Sequence, residues 1–231
     1  MHRGKKMKER PILFNSEMVK AVLSGQKTQT RRVIKPGISC TFDLERDGSL
    51  QIMVIEDTNG DFVPILDFCP YGRIGDQLWV RETFMLETEN GVPTGGIIYR
   101  ATDLPEPDGD RKLTWKPSIF MNRKYSRIQL EITSVRVERV QDITDHGAIA
   151  EGIISQLEYE DNAGSENLFD CPDCSGFQVH ECLGENMGMS ECECKTCDTP
   201  KKRFSIIWNS IYKNWDANPW VWVVEFKRID K

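Results

Sequence analysis

The stretch from Pro11 to Pro36, PILFNSEMVKAVLSGQKTQTRRVIKP, constrains the fold more than any other part of the chain. It reads as a strand, a helix, a glycine turn and a polar segment, Lys27-Thr28-Gln29-Thr30-Arg31-Arg32. Asn15 or Ser16 can cap the helix, and Met18, Val19, Val22 and Leu23 fall on one of its faces. Gly25 marks the helix end, because glycine enters the left-handed region without a side-chain clash. If Thr28 to Arg32 is extended, Thr28, Thr30 and Arg32 point to one side, and Lys27, still in the turn, reaches the same side. An ammonium, two hydroxyls and a guanidinium then converge. The same residues also suit a solvated surface strand whose cations complement the helix dipole.

A chain of 231 residues is long enough to bury a sizeable core, and its 29% charged and 39% hydrophobic residues are those of an ordinary globular protein. No apolar run is long enough to span a bilayer, and Met1-His2-Arg3-Gly4-Lys5-Lys6 leads into polar residues instead of a signal-peptide core, so a cytoplasmic protein with no membrane partner is expected. The net charge of -6 is uneven: residues 1–36 hold ten Lys or Arg against Glu9 and Glu17, and the rest of the chain is acidic. That balance argues against a broad duplex-binding face and permits a local one. Residues 1–10 form a basic arm, which also fits a solubilising tail.

From Val33 to Phe84 the pattern is β. Cys40 to Leu44 and Gln51 to Ile55 flank the turn signal Asp47-Gly48, and Asn59-Gly60 marks another turn. Leu78 and Val80 alternate with polar or amphipathic neighbours as in a half-buried strand. Residues 87–126 read as a long inserted loop holding a short strand at Ile97–Arg100, with Trp115 to Met121 as an ordered edge whose Ile119 and Phe120 call for burial. Arg127 to Arg139 is the clearest long strand, its apolar phase slipping by one residue near Thr133 or Ser134. Thr144-Asp145 then caps a helix carrying Ala148, Ile149, Ile153 and Ile154.

Six of the eight cysteines fall between Leu157 and Pro200. Cys171/Cys174 and Cys194/Cys197 make two CxxC pairs separated by nineteen positions, the spacing of a four-thiolate zinc ribbon. His180, Cys182 and Cys192 are spare candidates, and Cys192-x-Cys194 leaves the fourth ligand open. A disulfide framework is the alternative, disfavoured where thiols stay reduced. Four thiolates leave no open position for water, so the zinc is expected to be structural. Cys40 and Cys69 read as buried residues. Towards the C-terminus, Phe204, Ile207, Trp208, Ile211 and Tyr212 form one helical stripe. Trp220 to Lys227 is a strand apolar on both faces, whose tryptophans suit core packing or stacking on a base.

Gly25-Gln26-Lys27-Thr28-Gln29-Thr30-Arg31-Arg32 resembles the Gly-x-Lys-x-x-x-x-Arg signature of the ASCH domain, a small β-barrel related to the RNA-binding PUA domains. Gly75-Asp76-Gln77-Leu78-Trp79-Val80, Thr144 to Gly152 and the closing strand Trp220 to Lys227 are similar to the same family in the same order. The Trp/Lys-Pro-Ser segment at Trp115 to Ser118 is similar to segments of phage-borne ASCH proteins. The resemblance implies an α+β, mainly β fold: a PUA-like ASCH β-barrel over residues 11–156 and 201–231, with flanking helices and a small zinc-ribbon insertion at 157–200. It places Arg81 and Glu82 near the barrel mouth, as ligand contacts or in a cross-strand ion pair.

By position, Lys27, Thr30 and Glu151 match the active-site trio of the family's N(4)-acetylcytidine amidohydrolase branch. Amide hydrolysis needs a nucleophile, a base and a proton for the leaving nitrogen. Thr30 can attack or orient a water, Lys27 can act as base once its neutral amine is accessible, and Glu151 can hold the lysine or shuttle a proton. Glu151 beside Lys27 would also favour the charged amine, which opposes that role. Thr28, Arg31 and Arg32, with Arg81 and Glu82, are the expected substrate contacts. The implied partner is a modified nucleoside or RNA. Two other readings use the same residues: a non-catalytic RNA-binding module held by the basic arm, Arg31, Arg32 and the ribbon, and a ribonuclease with the same cleft.

Overall fold

Strand residues outnumber helical ones in the computed structural model, which describes residues 7–35, 40–44, 50–56, 62–89, 92–103, 114–153, 179–183, 189–193, 196 and 198–229. The fold is α+β and mainly β. In chain order the elements are β1 (Glu9–Leu13), α1 (Ser16–Leu23), β2 (Gln29–Val33), β3 (Cys40–Leu44), β4 (Leu50–Glu56), β5 (Phe62–Pro64), β6 (Gln77–Arg81), β7 (Phe84–Glu89), β8 (Val92–Tyr99), β9 (Gln129–Arg139), α2 (Asp145–Ala150), β10 (Val179–Leu183), β11 (Met189–Glu193), α3 (Pro200–Tyr212) and β12 (Trp220–Ile229).

The principal sheet has the order β1-β6-β9-β12-β2. β1 and β6 are parallel, Glu9 opposite Gln77 through Leu13 opposite Arg81, and β6 and β9 are antiparallel, with Leu78 opposite Leu130. Among the described residues this sheet is not closed, β1 and β2 standing at its two ends. Antiparallel β3-β4-β5 and the hairpins β7-β8 and β10-β11 complete the strands. The chain divides into two units, one of Met1–Thr30, Lys35–Val137 and Trp222–Lys231, the other of Arg31–Ile34 and Glu138–Val221.

In the first unit, Leu78, Leu130, Ile132, Val223 and Val224 are fully enclosed, and Phe14, Phe84, Trp222 and Phe226 fill the space around them. β12 is buried on both faces, as its uninterrupted apolar run requires. Asn15 caps α1 by accepting from the Met18 N–H at 2.8 Å, and Gly25 follows the helix at φ 83°. A Cβ at Gly25 would meet nothing within 4 Å, so only its backbone conformation calls for glycine. Up to Tyr99 the segment expected to be a long loop is the hairpin β7-β8, in which the short strand expected at Ile97–Arg100 begins earlier, at Val92; the Thr, Gly and Pro residues hid the rest of the pattern, and residues 104–113 lie outside the described residues. Lys116 bridges Phe84, so the edge at Trp115 to Met121 is ordered, but Met121 is buried while Ile119 and Phe120 are exposed.

In the second unit, Thr144 caps α2 by accepting from Gly147 N–H at 3.0 Å. The helix stops at Ala150, four residues short of the expected Ile154, because Gly152 turns left-handed at φ 92° and its N–H returns to Ile149 O at 2.8 Å. Lys201 ties α3 to the α2 end of the chain, its N–H donating to Asp145 Oδ1 at 2.9 Å and its ammonium to Gln141 O at 2.6 Å. α3 begins on Thr199 and Pro200 and buries Arg203, Phe204 and Trp208. Its expected stripe is narrower than the periodicity suggests, since Ile211 is exposed and Arg203 takes a core position. No helix among the described residues is long and apolar enough to cross a membrane.

Candidate functional site

The turn after α1 delivers Lys27, Thr28, Gln29 and Thr30 to the first unit. Lys27 N–H donates to Ala21 O at 2.9 Å, and Phe226 N–H on β12 donates to Thr28 O at 2.8 Å, so both ends of the segment are anchored by backbone. Lys27 is 2% exposed with its ammonium 5.5 Å from the centroid of Phe14, whose ring packs in turn on Phe226. Burial strips the ammonium of water, and the aromatic face restores part of that loss. Thr30 is completely buried, and its hydroxyl has no hydrogen-bond partner among the described residues. Gln29 is buried as well.

Thr28, Thr30 and Arg32 do not share one environment. Thr28 is exposed, Thr30 enclosed and Arg32 half-buried. β2 begins only at Gln29, and it is covered on both faces at Gln29, Thr30 and Arg31, so alternation along it does not separate wet from dry.

Arg81 and Glu82 also part ways. Glu82, 1% exposed, binds Arg127 through two bonds, Nε to Oε1 and Nη2 to Oε2, each 2.9 Å. Arg127 further donates to Thr102 Oγ1 at 2.8 Å and stacks 3.9 Å from the Tyr99 ring centroid. Burial pushes the Tyr99 hydroxyl above the ordinary tyrosine range, Arg127 opposing. Arg81 donates to Ser118 O at 3.1 Å and lies 5.5 Å from the Trp79 ring.

In the second unit the structure joins Arg31 to Glu151. The guanidinium, 3% exposed, donates through Nη1 to Glu151 Oε1 at 3.2 Å and through Nε to Glu138 Oε1 at 3.0 Å, with Nη2 on that same Glu138 oxygen. Glu151 stands just past the last turn of α2, where the helix cap holds its backbone N–H. Gly147 leaves the guanidinium its place: a Cβ there would come within 3.4 Å of Arg31 Nη2 and 3.3 Å of Thr144 Oγ1. Two carboxylates thus share one guanidinium. Sequence reasoning missed Glu138, because it follows Val135 and Val137 on the outward phase of β9; nothing local to Arg136-Val137-Glu138-Arg139 distinguishes it from a solvated strand end.

No protein-family model, curated protein or solved structure matches the chain.

Cys171, Cys174, Cys194 and Cys197 lie outside the described residues. His180, Cys182 and Cys192 are described by backbone alone: they belong to the β10-β11 hairpin, His180 in register with Cys192 and Cys182 with Ser190. Among the described residues no group of three His, Cys, Asp or Glu could hold a metal ion. Cys69 is buried, and desolvation pushes its thiol above the usual range despite the backbone N–H groups of Tyr71 and Gly72.

Proposed function

We propose that this chain is an ASCH-type protein, its strands arranged as a PUA-like barrel, that hydrolyses an N(4)-acylcytidine-type amide in a modified nucleoside or RNA. The observation that carries the reading is the Thr30 hydroxyl: fully enclosed, without a hydrogen-bond partner among the described residues, and three residues from a buried lysine. An unsatisfied buried hydroxyl costs about 1–3 kcal/mol, a cost that a purely structural position avoids by using valine. The four stretches that resemble the family lie at the Gly25 turn into β2, the Gly75-Asp76 turn into β6, the Thr144-capped α2 and the last strand, β12.

In this reading the Thr30 hydroxyl, or a water it orients, adds to the acyl carbon. Lys27 in its neutral form takes the displaced proton, the C–N bond breaks, and the proton passes to the departing exocyclic amine. On the water route the carboxylic acid forms directly; on the threonine route the acyl group is left as an ester of Thr30, which a water then hydrolyses to the acid and the free hydroxyl. Glu151 is the third residue of the matching set, and its charge is opposed by Arg31. Arg31, committed to Glu138 and Glu151, orients these acids in preference to binding a phosphate. Zinc, held by Cys171, Cys174, Cys194 and Cys197, would brace the segment around the β10-β11 hairpin without entering the chemistry.

The test is incubation of the purified protein with N(4)-acetylcytidine, with cytidine followed by chromatography. Conversion is expected, and Lys27→Ala and Thr30→Ala are expected to abolish it while product still binds. Absence of cytidine at high enzyme concentration refutes the reading.

A further inference from the structure

Ile119 and Phe120, which the sequence marks for burial, stand 58% and 66% exposed on the first unit. The turn that carries them is firmly held. Lys116 N–H donates to Phe84 O at 2.7 Å and Phe84 N–H to Lys116 O at 3.2 Å, while Phe120 N–H returns to Pro117 O at 3.0 Å and Met121 N–H to Ser118 O at 3.1 Å. Arg81 donates through Nε to Ser118 O at 3.1 Å, and Met121, 1% exposed, roots the end of the turn in the core. A pinned backbone that presents two large apolar side chains to water gains nothing from them in its own fold. It is preorganised for contact, because little ordering cost remains when a partner covers them.

The same surface continues onto the outer face of the sheet. Ile12 and Val80 are buried, so Pro11 with Trp79 and Leu13 with Arg81, paired in the β1-β6 register, share the opposite face. Leu13 is 45% exposed and Trp79 is half-buried. Arg81 joins the two parts, since it reaches Ser118 O and lies 5.5 Å from the Trp79 ring centroid. Phe, Trp and Arg together are the residue types that anchor protein interfaces. Residues 114–127 add Lys116, Arg123, Lys124 and Arg127 and no acid. Arg123 is bound by Glu9 and Arg127 by Glu82, whereas Lys116 and Lys124 are exposed and Arg81 gives its Nε to a backbone carbonyl. A second copy in two-fold pairing would set these cations opposite their own images, which disfavours self-association. A fluid anionic headgroup layer makes no use of a guanidinium fixed by Ser118 and Trp79; a carboxylate in a folded partner does.

We infer that Ile119 and Phe120, with Leu13, Trp79 and Arg81 beside them, form a docking knob for another protein whose surface offers an apolar pocket rimmed by carboxylates. Lys27, Thr30 and Glu151 take no part in it, and its failure would leave the amide-hydrolysis reading untouched.

The test uses the full-length protein and a fluorescent synthetic peptide that alternates Glu with Leu around a central Phe. Ile119→Ser/Phe120→Ser changes two exposed side chains, so this variant is expected to melt with the parent while losing about tenfold or more in peptide affinity. Exchanging every Glu of the peptide for Lys is expected to move binding from the parent to Lys116→Glu/Lys124→Glu, which in turn rejects the Glu peptide. No binding of the Glu peptide to the parent, or equal affinity in parent and serine variant, would overturn the proposal. Sedimentation of the parent with phosphatidylglycerol vesicles, lost in the serine variant, would assign the knob to a membrane and overturn the protein partner. A dimer in analytical ultracentrifugation that the serine variant abolishes would assign it to a second copy, with the same consequence.

Discussion

Arg31→Met is the most searching perturbation of the second unit. The parent cluster sets one guanidinium against two carboxylates, with side-chain exposures of 3% for Arg31, 20% for Glu138 and 5% for Glu151. Removing the cation takes its guanidinium partner from the half-buried Glu138 and the buried Glu151. Breaking a buried pair from one side costs about 3–5 kcal/mol, and the partial exposure of Glu138 favours the lower end, about 3 kcal/mol. For a chain of this length that is a fall in Tm of about 6–12 °C. Glu138→Gln acts in the opposite sense electrostatically. It leaves Arg31 and Glu151 as a neutral pair and is expected to cost about 1 kcal/mol or less. The assay is thermal unfolding followed by circular dichroism at neutral pH. A variant as stable as the parent would refute the reasoning.

Thr30→Val replaces an unsatisfied hydroxyl by a methyl of similar volume, and is expected to raise stability by about 1 kcal/mol while removing amide hydrolysis; a destabilised variant in chemical denaturation would mean that the hydroxyl has a partner. Purified protein is expected to carry one zinc per chain by elemental analysis, and its chelation to expose Cys171, Cys174, Cys194 and Cys197 to alkylation; the same alkylation pattern with and without chelator would exclude a thiolate site. Burial raises the Asp76 carboxyl, but the N–H groups of Lys8 and Arg73 and the charges of Arg10 and Lys8 outweigh it and hold the group below the usual carboxylate range. The stability it adds is therefore present above the unfolded carboxylate pKa and lost as pH falls through the folded value. Asp76→Asn is expected to be less stable than the parent at neutral pH and to converge with it in strong acid, as measured by unfolding at both.

Local signals read well from the sequence because their physics is local. Asn15 and Thr144 as helix caps, Gly25 as a helix end and the two-sided burial of β12 each depend on a few consecutive residues, and the structure places each where the sequence puts it. Gly152 was as legible as Gly25, yet Ile153 and Ile154 continued the apolar period and obscured the stop. The β7-β8 hairpin escaped notice because its composition is that of a loop.

The candidate site divides in the same way. Lys27, Thr30, Arg31 and Glu151 stand out in the sequence as residue types, and all four are buried. Their partners do not stand out. Glu138 lies 107 residues from the guanidinium it binds, and Glu82 lies 45 from Arg127. A carboxylate on the outward phase of a strand is indistinguishable in sequence from a solvated one. Chain order and side-chain chemistry determine which groups a segment offers and where its helices start and stop. Only the tertiary structure decides which charges are desolvated, because desolvation depends on what packs over a residue from distant parts of the chain, and that is what turns Arg31 and Glu151 from surface charges into a buried pair.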